Sequence, residues 1–134
     1  IEKYGLKDRV TFTGKIPLEE LTDLYSEMEL AVLPSLYEGF GFPAAEAMAC
    51  ELPVITTYAG ALPEVVGEHL KTGYLVQPRN AEAIAEGIDY LLENNAVRQK
   101  IAKAGRKRIL KEFNWQQAAS ELESLYKEVI SAHG

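Results

Sequence analysis

Two glutamates bracket the segment Glu38-Gly39-Phe40-Gly41-Phe42-Pro43-Ala44-Ala45-Glu46, and their spacing around a Gly-Phe-Gly turn is the first sign of chemistry in this chain. Gly39 and Gly41 permit a tight turn and close approach of backbone to a ligand, Pro43 suits the first position of a helix, and Ala44 to Cys50 is predicted to be a short helix. Glu38 then lies on the loop and Glu46 about one turn inside the helix. The N-terminus of a helix offers unpaired N–H groups and the positive end of a dipole, which together make an anion site. Two acids beside such a site are coherent when they face neutral hydroxyls, since a carboxylate accepts hydrogen bonds from two neighbouring ones. A ligand that joins phosphates to sugar rings meets both demands, so the expected ligand is a sugar nucleotide.

A single glutamate near a helix start reads first as a solvated acid that suits the dipole. The surrounding elements reverse that reading. Leu30-Ala31-Val32-Leu33 and Pro53-Val54-Ile55-Thr56 are continuously apolar runs that resemble strands covered on both faces, and Gly73-Tyr74-Leu75-Val76 closes the series before Pro78. The Pro34-Ser35 loop carries Glu38 away from the end of the first of these, to the carboxyl edge of the sheet, where open α/β folds bind ligands. Upstream, Val10-Thr11-Phe12-Thr13-Gly14 alternates and is predicted to be a strand, followed by a helix with Leu21, Leu24, Tyr25 and Met28 on one face. Strands alternating with helices over 1–78 predict an α/β fold with a Rossmann-like parallel sheet and flanking helices.

Residues 79–134 carry no strand signal. Asn80 is predicted to cap a helix over 81–93 with Ile84, Ile88, Leu91 and Leu92 inside; a second follows over 96–112, and Asn114 opens a third with Trp115, Leu122, Leu125, Tyr126, Val129 and Ile130 along one stripe. The whole chain, 1–134, is thus expected to be a single domain with a helical end.

With 134 residues, 47% hydrophobic and 25% charged, the chain has the composition of an ordinary globular domain. The apolar runs are too short to span a membrane, and Ile1 follows neither a basic leader nor a cleavage signal, so a cytoplasmic location and a fragment of a longer chain are expected. The lone Cys50 is expected to be buried as a small apolar residue, and His69 and His133 have no zinc spacing, so no metal is expected. The net charge of −6 hides an asymmetry: residues 98–111 hold seven of the 14 basic residues and no acid, leaving seven bases against 20 acids elsewhere. Nucleic acid does not suit that acidic remainder.

The motifs Pro34-Ser35-Leu36-Tyr37-Glu38-Gly39-Phe40-Gly41, Glu46-Ala47-Met48-Ala49, Pro53-Val54-Ile55, Gly60-Ala61-Leu62-Pro63-Glu64-Val65-Val66 and Gly73-Tyr74-Leu75-Val76 follow one another in the order and spacing of a known family. They resemble the C-terminal, donor-binding half of retaining glycosyltransferases of the GT-B fold, family 4 (glycosyl transferases group 1), similar here to sucrose and glycogen synthases and bacterial mannosyltransferases. The resemblance implies that Glu38, the candidate catalytic residue, contacts donor-sugar hydroxyls and that Glu46 holds the ribose diol. It also implies that backbone N–H groups of Phe40, Gly41, Phe42 and Ala44 face the sugar and diphosphate, with Gly39 in the same turn, and that Gly14-Lys15-Ile16 borders the base. No cofactor is implied beyond the nucleotide-sugar substrate.

Two positions depart from the family pattern. Ala61 stands where a second adjacent glycine is usual, and Glu51 stands just past the helix where glycine is common; a left-handed glutamate there costs about 1 kcal/mol. The resemblance further implies that the single domain is partial, with partners missing from the sequence: an N-terminal acceptor domain and the first two strands of the donor domain, with the arginine and lysine that grip the diphosphate. The isolated chain is therefore expected to be inactive, and a non-catalytic sugar-nucleotide binding or assembly module is the alternative.

The helix carrying Lys100, Lys103, Arg106, Lys107 and Lys111 reads first as a solvated face, and second as a contact with the inner face of an anionic membrane, although it lacks exposed aromatic anchors. Trp115 reads as a core anchor rather than a sugar platform, and His69 receives no catalytic role. Finally, the family's strand order would leave a two-strand gap between 10–14 and 30–33, exposing the backbone of an apolar strand. Either 10–14 slides across, or the fragment self-associates, or upstream residues cover the edge; the last is the preferred expectation, and a lone monomer with that edge open to solvent refutes the whole argument.

Overall fold

The computed structural model describes residues 1–133. Two 3-10 turns, Glu2–Tyr4 and Lys7–Arg9, precede α1 (Leu18–Glu27), β1 (Ala31–Leu33), α2 (Phe42–Ala49), β2 (Val54–Thr57), α3 (Leu62–Val66), β3 (Tyr74–Val76), α4 (Ala81–Glu93), α5 (Asn95–Glu112) and α6 (Trp115–His133). The three strands form one parallel sheet in the order β1-β2-β3, with Ala31 opposite Val54 and Ile55 opposite Tyr74. This is the expected α/β architecture with a helical end.

Every residue of β2 is buried because the strand is covered on both faces. Alternation decides where each side chain goes. Val54 joins Ala44, Ala47, Met48, Leu62, Val65 and Val66 in the layer under α2 and α3, while its neighbour Ile55 joins Leu91 and Ile101 in the layer under α4 and α5. α5 serves both layers, Ile101 in one and Ile109 in the other. The two buried threonines of β2 are satisfied: Thr56 Oγ1 donates to Leu33 O at 3.0 Å and Thr57 Oγ1 to Ser35 O at 2.5 Å. These two bonds tie the exit of β1 to β2, and so fix where the Glu38 loop leaves the sheet.

α5 also closes the ends of the two short helices. Arg106 Nη1 donates to Ala49 O at 2.6 Å, at the last turn of α2, and Arg108 donates to Val65 O and Glu64 O in α3 at 3.0 and 2.6 Å. These are the carbonyls that a helix cannot satisfy by itself. α4 begins as expected, with Asn80 Oδ1 accepting from Ala83 N at 2.9 Å.

The end of α2 bears out the reading of Glu51. Its φ is 60°, its N–H donates to Met48 O at 3.0 Å, and Leu52 N–H reaches back to Ala47 O at 3.0 Å, the paired bonds of a Schellman turn. Glu51→Gly is expected to stabilise the fold by about 1 kcal/mol, seen as a rise of about 3–5 °C in melting temperature by calorimetry.

Several expectations fail, each for a physical reason. Residues 10–14 form no strand and no ladder; Phe12 is 83% exposed. Alternation gives only a local preference, and a strand exists once a neighbour pairs with its backbone. The segment does not slide to β1 either, so the outer edge of β1 has no strand partner among the described residues, and Val32 on it is 36% exposed. That open edge refutes the argument that the strand must be covered: with only three residues it leaves little bare backbone. Trp115 is no core anchor: it is 88% exposed, and every residue of α6 from Trp115 to Ala132 is exposed. The stripe's spacing shows which face is apolar, and nothing about what lies against it. Leu92 and Met28 are likewise exposed, and Cys50 is only half-buried. Pro43 stands second in α2, which starts at Phe42, and Leu62–Val66 form the short helix α3. Gly134 and the side chain of His133 lie outside the described residues.

Candidate functional site

The candidate site gathers at the carboxyl ends of β1 and β2, where two loops lock together. Ala61 N–H donates to Glu38 O at 3.1 Å, and Gly60 takes φ 53° against the same peptide: a Cβ there would run into the Glu38 carbonyl oxygen, with Glu38 C and N each 3.0 Å away. Gly41 caps α2 in the left-handed region, φ 101°, where a Cβ would come 2.7 Å from Leu62 Cδ2. Ala61 itself has φ −80°, a conformation any residue adopts, so its departure from the two-glycine pattern has no backbone consequence.

Within this frame the N–H groups of Phe40, Gly41 and Phe42 donate to no protein group among the described residues. They stand at the positive end of α2, between two half-buried carboxylates. Ala44 departs from the expectation: its N–H donates to Gly41 O at 3.0 Å, so it is already engaged. Glu38 folds its Oε1 onto Gly39 N–H at 3.1 Å. Phe40 packs inward, its ring 5.8 Å edge-on from Phe113, whereas Phe42 is 67% exposed.

Glu46 faces α1. The hydroxyl of Tyr25 donates to its Oε2 at 3.5 Å, and burial, with the negative charge of Glu46 as the next cause, raises the Tyr25 pKa above its ordinary value. Sequence reading placed Tyr25 on the inner face of α1 and missed this contact, which links residues 21 positions apart. Lys15 and Ile16 line a separate open cleft of about 530 Å³ with Thr13, Glu20 and Asp23. No lysine or arginine occurs between Lys15 and Lys71, so the loops around Glu38 and Glu46 carry acids and amides and no cation of their own. Among the described residues no group of three or more His, Cys, Asp or Glu is placed to hold a metal ion.

His69, set aside in the sequence, serves the fold instead. Its Nδ1 accepts the Leu75 N–H at 3.0 Å, and its ring meets Tyr74 edge-on at 4.6 Å. It holds the start of β3 and stands outside the site.

Comparison with known proteins agrees with this geometry. The sequence profile described as Glycosyl transferases group 1 matches residues 1–108. The MMP alpha-(1->4)-mannosyltransferase of Mycolicibacterium hassiacum is 36% identical over 131 residues, 98% of this chain and 32% of its own length. A sucrose-phosphate synthase from Thermosynechococcus elongatus superposes with a TM-score of 0.86 at 41% identity, covering 98% of this chain and 33% of that one. Anabaena HepE in complex with UDP-glucose superposes with a TM-score of 0.83 at 30% identity, covering 92% and 34%. The chain spans about a third of the length of the relatives it matches.

Proposed function

Because the chain belongs to the glycosyl transferases group 1 family, we propose that it forms the donor-binding half of an enzyme that moves a sugar from a nucleotide sugar to an acceptor with retention of anomeric configuration. The observation that carries this reading is the set of three unspent N–H groups, Phe40, Gly41 and Phe42, held between Glu38 and Glu46. Amide donors preorganised at a helix N-terminus suit the charge that develops on a departing diphosphate, and the flanking carboxylates suit the hydroxyls on either side of it. In this reading Glu38 holds the donor sugar, Glu46 holds the ribose, and Lys15 and Ile16 border the base. The reading needs no resident metal. The acceptor-binding domain and the cations that grip the diphosphate come from outside these 134 residues.

The test is turnover of UDP, GDP and ADP sugars by the full-length protein, with the product anomer read by NMR. An inverted product, or hydrolysis and transfer both absent with all three, overturns the reading. The isolated chain is expected to bind these donors at millimolar strength at best. Two charged hydrogen-bond partners, each worth about 1.5–3 kcal/mol, are lacking, which weakens binding by roughly 10² to 10⁴. Micromolar binding by calorimetry would instead favour a self-sufficient sugar-nucleotide binding module.

The basic stripe supports a peripheral seat on the cytoplasmic face of an anionic membrane. Lys100, Lys103, Lys107 and Lys111 are exposed, recur every three or four residues of α5, and form no ion pair among the described residues, while Trp115 supplies the exposed aromatic just beyond them. No helix among the described residues is long and apolar enough to cross a membrane. Cosedimentation with phosphatidylglycerol vesicles is expected, lost on raising salt to about 0.5 M; equal binding to neutral vesicles contradicts the electrostatic seat.

A further inference from the structure

Glu46 carries three rotatable side-chain bonds, and a carboxylate that must receive two hydroxyls at once works best when its plane is already set. The structure supplies one contact that sets it. Tyr25 lies in the last turn of α1, its ring half-buried against the core layer that holds α2, and its hydroxyl donates to Glu46 Oε2. The contact is 3.5 Å long, at the outer limit of a hydrogen bond. Burial and the nearby carboxylate keep the phenol protonated, so it stays a donor. Beside the pair, a cleft of about 190 Å³ opens between α1 and α2, reached by Leu21, Thr22 and Cys50 as well. With one lone pair of Oε2 taken by Tyr25, the carboxylate keeps the rest of its acceptor sites for a ligand.

We propose that Tyr25 is a positioning residue for Glu46: its hydroxyl holds the carboxylate in the orientation that accepts both hydroxyls of a vicinal diol, here the 2′ and 3′ hydroxyls of a ribose. The inference rests on the reading of Glu46 as the ribose-binding acid. It adds that specificity for ribose over 2′-deoxyribose depends on a residue of α1 that touches no part of the nucleotide.

The experiment is a calorimetric comparison, on the full-length protein, of UDP, GDP and ADP with their 2′-deoxy counterparts, for the wild type and for Tyr25→Phe, Glu46→Gln and the double variant. Tyr25→Phe removes one oxygen and keeps the ring, so its melting temperature is expected within about 2 °C of the wild type. The preference for the ribo form is expected to fall about three- to tenfold in Tyr25→Phe. It should vanish in Glu46→Gln, with no further change in the double variant. If Glu46→Gln abolishes the preference while Tyr25→Phe keeps it, or weakens both forms alike, Tyr25 only packs and the inference falls while the reading of Glu46 stands. A preference unchanged in Glu46→Gln, or no nucleotide binding by the wild type, overturns both.

Discussion

Gly60→Ala is expected to lower the melting temperature by about 8–15 °C and to abolish donor binding by the full-length protein. Two costs add at this one position. A non-glycine residue at φ 53° is strained by about 1–2 kcal/mol, and the new Cβ meets backbone atoms of Glu38, which cannot swing aside as the end of a side chain can. The total is about 2–4 kcal/mol, a large share of a small domain's stability. Relief comes only by pushing the Glu38 peptide away, which also breaks the bond from Ala61 N–H. Ala61→Gly is the matched control: Ala61 has φ −80°, so the change should move stability by less than about 1 kcal/mol. Calorimetry and donor titration of the two variants decide the matter, and a Gly60→Ala protein as stable as Ala61→Gly would show that the two loops are not locked.

Glu38→Gln and Glu46→Gln should separate in the kinetics of the full-length enzyme. The amide keeps the shape of the carboxyl and loses its charge, removing about 1.5–3 kcal/mol of charged hydrogen bonding at either site, or roughly ten- to a hundredfold. For Glu46, held against α1 and read as the acid that binds the ribose, the loss should fall mainly on donor KM. For Glu38, on the turn beside the helix N-terminus, it should fall on kcat as well, because contacts to the reacting sugar change as charge develops on it. Equal and small losses for both, in steady-state kinetics across a donor series, would return them to solvated acids.

The parts of this fold that could be read from sequence are those fixed by local rules. Val54 and Ile55 announce a strand covered on both faces, Asn80 announces a helix start, and Glu51, past the end of α2, announces a left-handed turn. The failures share a different cause: each needed knowledge of what lies opposite. Val10 to Gly14 has the alternation of a strand and no ladder to join; Trp115 and Leu122 have the spacing of a buried stripe and are exposed. The site divides in the same way. The glutamates, the Gly-Phe-Gly turn and the helix start were legible because they lie within nine residues of one another. The lock between Gly60 and Glu38 and the contact of Tyr25 with Glu46 join residues about 20 apart, and no spacing rule reaches them.

The arginine that closes α2 also sets an order of events during synthesis. Ala49, at the last turn of the helix that begins at the candidate site, receives its bond from Arg106, 57 residues later in the chain. At about 5–20 residues per second a ribosome takes roughly 3–11 s to cover that distance. Throughout that interval the nascent helix has its glutamate and its local Schellman turn, but the Ala49 carbonyl lacks its donor and the core layer that seats the helix still lacks Ile109. The candidate site therefore reaches its final packing only after both loops that form it have long left the peptidyl-transferase centre, and a nascent chain stalled before Arg106 should remain protease-sensitive at α2.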